Sequence, residues 1–165
     1  MMLDIDGGQQ AGSGTIVRYA VALAALLGRP LHLFNARAKR PTPGLRPQHV
    51  ASVLACAELC GAKTDGVKVG SREFSFAPGA RIKGGDFTWD SGTAGSTTML
   101  ALSTLPLACF ADRPVTARIT GGVFQDFAPS PHHMQHVLLP FAIACRSRPH
   151  TLLAISGSFP RVGRR

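Results

Sequence analysis

Apolar and polar residues alternate from Leu3 to Asp6, the period-two pattern of a short strand. A glycine-rich turn follows from Gly7 to Gly14. Thr15 to Leu27 is then rich in Ala, Val and Leu at helical spacing, and Gly28-Arg29-Pro30 stops it. Leu31 to Ala36 alternates like a second strand. From Pro47 to Cys60, Val50, Val53, Leu54 and Ala57 recur with a helical period, and Gly61 ends the run. Val67–Val69 and Glu73–Phe76, either side of Gly70-Ser71, read as a hairpin. The order is βαβαββ, an α/β sandwich with helices packed on a sheet.

The second half has the same grammar. Phe87 to Asp90 reads as a strand, Gly92 to Phe110 as a glycine-led helix and Val115 to Thr120 as a strand. Gly121 to Ser130 is a loop, Pro131 to Cys145 a helix and Thr151 to Ile155 a strand. Letters repeat as well: Ala11-Gly12-Ser13-Gly14-Thr15 returns as Ala94-Gly95-Ser96-Thr97-Thr98, and Arg29-Pro30 as Arg113-Pro114. Pro47, His49, Val53 and Leu54 return as Pro131, His133, Val137 and Leu138, at the offset that relates the two Arg-Pro pairs. The expectation is two copies of one unit, residues 1–80 and 85–158, followed by a basic tail over 159–165.

Charge changes the picture. Lys and Arg number 18 against 9 Asp and Glu, a net charge of +9, which favours polyanionic partners and nucleic acid above a membrane surface. Ala20 to Leu27 is apolar but far too short to span a bilayer, and the N-terminus carries no secretion-signal pattern. Cys56, Cys60, Cys109 and Cys145 lie in apolar helical runs without a C-x-x-C pair, which points to buried thiols in a reducing cytoplasm rather than to metal ligands.

The positive charge is concentrated. Arg37, Lys39, Arg40 and Arg46 fall within ten residues, interleaved with Pro41, Pro43, Gly44 and Pro47. Prolines fix φ, so an ordered irregular loop is expected, with Gln48 and His49 at the start of the following helix, where amides favour anions. A solvated basic loop would produce the same run of charge. Gly7 to Gly14 is a second candidate anion cradle, with Gly12, Ser13 and Gly14 at its helix end, although it lacks the Walker spacing and lysine. Asp6 before Gly7 suits a turn as well as a ligand. His132, His133 and His136 share a helical region but lack further metal ligands beyond Asp126, and a solvated helix start accounts for them.

Together these residues carry a resemblance. Asp6-Gly7, Arg18, Arg37-Ala38 with Arg40, Pro43-Gly44-Leu45, Gln48-His49, Gly84-Gly85-Asp86, Gly92-Thr93-Ala94-Gly95-Ser96, Gly121-Gly122 and Ala128-Pro129 fall in order. The chain resembles the RNA 3′-terminal phosphate cyclases and their noncatalytic ribosome-biogenesis relatives. The resemblance implies repeated βαβαββ units related to the C-terminal domain of translation initiation factor 3. It implies an ATP-dependent ligase-class reaction: AMP is carried on a histidine, passes to an RNA 3′-phosphate, and leaves when the 2′-hydroxyl closes a 2′,3′-cyclic phosphate. ATP, a divalent metal (Mg or Mn) and RNA 3′ ends are the implied partners. Arg18, Arg37, Arg40, Gln48 and His49 match its phosphate-handling positions, and Gly12, Ser13 and Gly14 its nucleotide-binding turn.

The departures are equally specific. A metal-holding glutamate and a glutamine of the family's E-G-G-G-Q turn are replaced in Ala11-Gly12-Ser13-Gly14-Thr15. An ATP-contacting glutamine is replaced by Leu102, and the family's G-G-T with a downstream Asp becomes Gly121-Gly122-Val123 with His132. The nucleophilic histidine belongs to a C-terminal third that these 165 residues do not contain. The expectation is a truncated cyclase, without catalytic residues of its own, that needs a missing segment or a second chain. The alternative is a noncatalytic RNA-binding protein that keeps the arginines.

Overall fold

The computed structural model describes residues 1–92, 95–144 and 155–156. The fold is mixed α/β. In order, it has β1 (Leu3–Asp6), α1 (Gly14–Leu27), β2 (Leu31–Phe34), α2 (Pro47–Cys60), β3 (Lys63–Asp65) and β4 (Phe74–Ala77). Then come β5 (Gly85–Asp90), α3 (Thr97–Cys109), β6 (Val115–Thr120), α4 (Pro131–His133), a π-helical turn (Met134–Leu138), α5 (Leu139–Ala144) and β7 (Ile155–Ser156).

One sheet has the order β1-β2-β4-β3, with β1 and β2 parallel and the other pairs antiparallel. The other runs β5-β6-β7, all parallel. Leu31, Leu33, Phe74 and Phe76 bury the inner face of the first sheet, and Val115, Ala117 and Ile119 that of the second. Helices α1, α2 and α3 pack on one another between these faces through Val17, Val21, Val53, Leu59, Leu100 and Leu107, all fully buried. Burying each such side chain contributes roughly 1.5–3 kcal/mol, enough to make this helical layer the rigid support of everything above it.

Helix ends follow local chemistry. Ser13 caps α1, its Oγ accepting from the Thr15 N–H at 3.3 Å, and Gly28 closes the helix in the left-handed region at φ 61°. Ser96 caps α3, accepting from the Met99 N–H at 3.2 Å.

Three expectations are corrected. The hairpin pairs Lys63–Asp65 with β4, not Val67–Val69. The valine stretch is a loop: Lys68 makes local turns with Gly66 and Ser71, and the residues after it are held by another segment, the Gly70 N–H donating to Leu45 O (2.7 Å) and the Leu45 N–H to Ser71 O (2.8 Å). Helix α3 begins at Thr97 rather than Gly92, because the Ser91 hydroxyl donates to Gly95 O at 2.6 Å and holds a turn ahead of the cap. The helix expected from Pro131 to Cys145 is broken by the π-helical turn. Pro140 has no N–H to return to His136 and its ring crowds that carbonyl, so the turn widens. The second half repeats the order βαβα, but its last described strand, β7, is parallel to β6, where the first half closes with an antiparallel pair. The rest of the strand expected over Thr151–Ile155, Cys145, Thr93-Ala94 and the tail 159–165 lie outside the described residues.

Candidate functional site

Strands β1 and β2 end side by side, and the loops that leave them meet. Asp6 forms the turn, its Oδ1 accepting from Gly8 N–H at 2.8 Å. A Cβ on Gly7 would stand only 3.0 Å from the Ala36 Cα, so the two loops touch through backbone. Gly12 lies in the left-handed region against Lys39, whose Nζ donates to Gln10 O at 3.0 Å. Gly12 therefore joins the two loops, while Ser13 and Gly14 face the space above α1.

The basic loop is ordered by its own backbone. Ala36 N–H donates to Arg72 O (2.7 Å) and Gly44 N–H to Ala36 O (2.8 Å). Arg37 sits at φ 55°, a conformation that costs an L-residue roughly 1–2 kcal/mol. Its Nη1 donates to Thr42 O and Gly44 O, each at 2.8 Å, and pins the loop from inside. Arg37 is thus a brace as well as a cation. Arg40 has no such duty: its side chain is exposed and takes no hydrogen-bonding partner among the described residues.

Two titratable groups are buried beneath this loop. Arg18 on α1 is 6% exposed, and its Nε donates to Ser52 Oγ at 3.3 Å. Burial, with the Arg37 charge adding to it, pushes its guanidinium down to about 10. His49 is 3% exposed. Its Nδ1 faces the Arg46 N–H at 3.1 Å, and an amide can only donate, so Nδ1 is the acceptor and the ring proton sits on Nε2. Burial and the charges of Arg18, Arg37 and Arg46 push its pKa down to about 3. His49 is therefore a neutral donor at neutral pH, without the proton a general acid would give.

These cations form no ion pair with a carboxylate among the described residues. Burial and the charges of Arg46 and Arg40 lower the Arg37 pKa, so the arginines repel one another. The one side-chain contact of ion-pair geometry among the described residues, His32 Nδ1 to Asp4 Oδ1 at 3.0 Å, lies outside this cleft. A group of arginines without a carboxylate partner has the chemistry to attract an anion.

These side chains line a cleft of about 550 Å³. Arg18, Arg37, Arg40, Gln48 and His49, named from sequence, all border it, together with Ser13 and Gly14; Gly12 does not. The opposite wall comes from the second half: Ser96 and Met99 at the start of α3, and the loop from Gln125 to Ala128. Phe127 on that loop is fully exposed at φ 61°. Sequence reading named Ser96 and Ala128 only within the repeat and the resemblance and not as site residues, because a polar loop gives no sign of the partner it faces. A second cleft of about 530 Å³ adjoins the first. It shares Arg37, Pro41, Gln48 and Gln125 and adds Thr42, Arg46, Pro47 and Gly95.

Metal-ligating chemistry is sparse. Among the described residues, Asp126 is the one carboxylate bordering either cleft, and no group of three His, Cys, Asp or Glu is placed to hold a metal. His132 and His136 stack with ring centroids 6.4 Å apart. Cys56 and Cys60 are buried, and burial raises both thiols. No helix among the described residues is long and apolar enough to cross a membrane.

Comparison with known proteins matches residues 9–163 to the family described as RNA 3′-terminal phosphate cyclase. A relative named RNA 3′-terminal phosphate cyclase from Nitrosospira multiformis is 40% identical over 98% of this chain and 46% of its own length. One of the same name from Pyrococcus furiosus is 44% identical over 84% of this chain and 40% of its own. A third, from Ectopseudomonas mendocina, is 41% identical over 84% and 40%. The chain spans less than half the length of these relatives.

Proposed function

The chain belongs to the RNA 3′-terminal phosphate cyclase family, and we propose that the cleft between its two units, 1–80 and 85–158, grips the terminal phosphate of an RNA 3′ end. The observation that carries this is the set of Arg18, Arg37 and Arg40 around one cleft, with no carboxylate paired to them among the described residues. A 3′-phosphate brings two negative charges at neutral pH and three acceptor oxygens. Arg40 supplies an unengaged guanidinium, Gln48 an amide and His49 its Nε2–H; Arg18 and Arg37 supply charge from fixed positions.

The reaction to which this grip contributes is the ATP-dependent cyclisation. An adenylyl group is transferred to the 3′-phosphate, and attack by the neighbouring 2′-hydroxyl on that phosphorus releases AMP and leaves a 2′,3′-cyclic phosphate. The cleft suits the phosphates of ATP for the reason it suits an RNA phosphate, and a bound nucleotide would supply the adenylyl group. The histidine that carries AMP is expected in the part of the relatives that this chain does not span. A divalent metal does not fit: Ala11 stands at the expected glutamate, and Asp126 alone is a poor donor set for a hard cation. No step is derived through it.

A second function, binding RNA ends without chemistry, is favoured by that same shortage of carboxylates. Titrations of 3′-phosphorylated and 3′-hydroxyl RNA at fixed salt test the grip. Arg40→Ala should weaken the phosphorylated end selectively, by roughly 1.5–3 kcal/mol for a charge-assisted contact. An equal loss for both ends would reduce the loop to a general basic surface.

A further inference from the structure

We propose that the second cleft, bordered by Arg46, Thr42 and Gln125, holds a second phosphate, the next phosphodiester of the RNA whose terminal phosphate occupies the first cleft. This rests on the terminal-phosphate assignment made above. Three observations lead to it. The two clefts share Arg37 and Gln48 as a common wall, so two anions would sit either side of one rigid partition, as successive phosphates of a single strand do. The partition is held in place because Arg37 Nη1 donates to the carbonyls of Thr42 and Gly44.

The third observation is Arg46 itself. It occupies the N-cap of α2, where a side-chain acceptor is normally found, and although His49 Nδ1 accepts from its backbone N–H, the Arg46 guanidinium offers nothing to the amides of the first turn. Guanidinium has no acceptor, and it adds positive charge to the positive end of the helix dipole, with no acidic residue in the first turn to offset it. Such an arrangement is unfavourable in the empty protein and favourable around an anion. The Arg46 backbone makes the structural contacts, its N–H donating to His49 Nδ1 and its carbonyl accepting from His49 N–H at 2.8 Å. The exposed side chain remains for a ligand, and Gln125 reaches the same space from the opposite half.

The probes are cytidine, cytidine 3′-phosphate, cytidine 5′-phosphate, cytidine 3′,5′-bisphosphate and ATP, titrated into the 165-residue chain. The bisphosphate carries two phosphates one nucleotide apart. It should bind roughly tenfold tighter than the 3′-phosphate, or about 1.4 kcal/mol. Arg46→Ala should abolish that gain and leave the 3′-phosphate affinity within about twofold, with Arg46→Lys restoring part of it. Arg40→Ala should weaken both. Arg81→Ala is the control: it is exposed and lies near the C-terminal end of α2, as the Lys83 N–H to Leu59 O bond shows, so it should leave all probes unchanged.

If Arg46→Ala weakens the 3′-phosphate as much as the bisphosphate, there is no separate second site. If it weakens ATP and spares the bisphosphate, the second phosphate belongs to a nucleotide and the RNA assignment is wrong. If cytidine 3′-phosphate binds no better than cytidine, the first assignment fails on its own. In that case the Arg46-dependent gain of the 5′-phosphate over cytidine still reports the second cleft.

Discussion

Acid should loosen this fold through His49. The ring is buried and neutral with a pKa near 3, against an ordinary value of 6.5, so below pH 6.5 the unfolded chain binds a proton that the folded chain refuses. A depressed folded pKa contributes stability that is fully present above pH 6.5 and is lost as pH falls from 6.5 toward 3. The loss approaches about 1.4 kcal/mol for each pH unit, or close to 3 kcal/mol by pH 4.5. That is a large part of a typical stability of about 5–15 kcal/mol. The perturbation is His49→Gln. Glutamine at the third helical position can still accept from the Arg46 N–H, as in a capping box, but cannot titrate. Urea unfolding at pH 7, 6, 5 and 4.5 gives the two stability curves. Carboxylates titrate equally in both proteins and cancel in the difference, so the wild-type curve should fall more steeply by about one proton. Parallel curves would refute the neutral buried ring.

Other outcomes follow from the packing. Gly14→Ala should destabilise by about 1–3 kcal/mol in thermal or urea melts, since its Cβ would collide with the His49 ring and force a backbone shift. Arg37→Ala should cost about 1–3 kcal/mol of stability by releasing two hydrogen bonds, while Arg40→Ala should change it by less than about 0.5 kcal/mol. Incubated with radiolabelled ATP, the 165-residue chain should show no protein–AMP band on a denaturing gel, because His49 is buried and cation-ringed and no cysteine or lysine lines the cleft among the described residues. A stable adduct would overturn that.

The helices were legible because their signals are local. Pro47 at N1 and Gly61 just past the end bound α2 at the limits its periodicity predicts, and a valine–alanine stripe sufficed for α1. The misplaced strand reflects non-local competition. Val67 and Val69 alternate as a strand should, yet Leu45 takes the backbone groups of Gly70 and Ser71. No window of sequence around residue 67 contains that information. The broken helix after Pro131 was visible in principle, since Pro140 stands inside the apolar repeat, but a proline says only that the helix must adjust and not that it widens into a π turn.

The site divides along the same line. Its cationic wall is nearly one stretch of chain, so a motif could reveal it, and Arg18 joins it because α1 lies on α2 through Ser52. Its other wall arrives from about 80 residues away in sequence, where Ser96 and Gln125 carry no charge. Composition could locate the anion-attracting half because clustered arginines without nearby carboxylates repel one another until an anion joins them. It could not locate the half that closes the cleft from the other side. Nor could it assign Arg37 two roles, since bracing a loop and facing a cleft require the same residue type. Only the positions of Thr42 O and Gly44 O separate the structural share of that guanidinium from the share that faces the cleft. Arg40, which has no such carbonyls, is therefore the sharper probe of binding, and Arg37 the sharper probe of loop order.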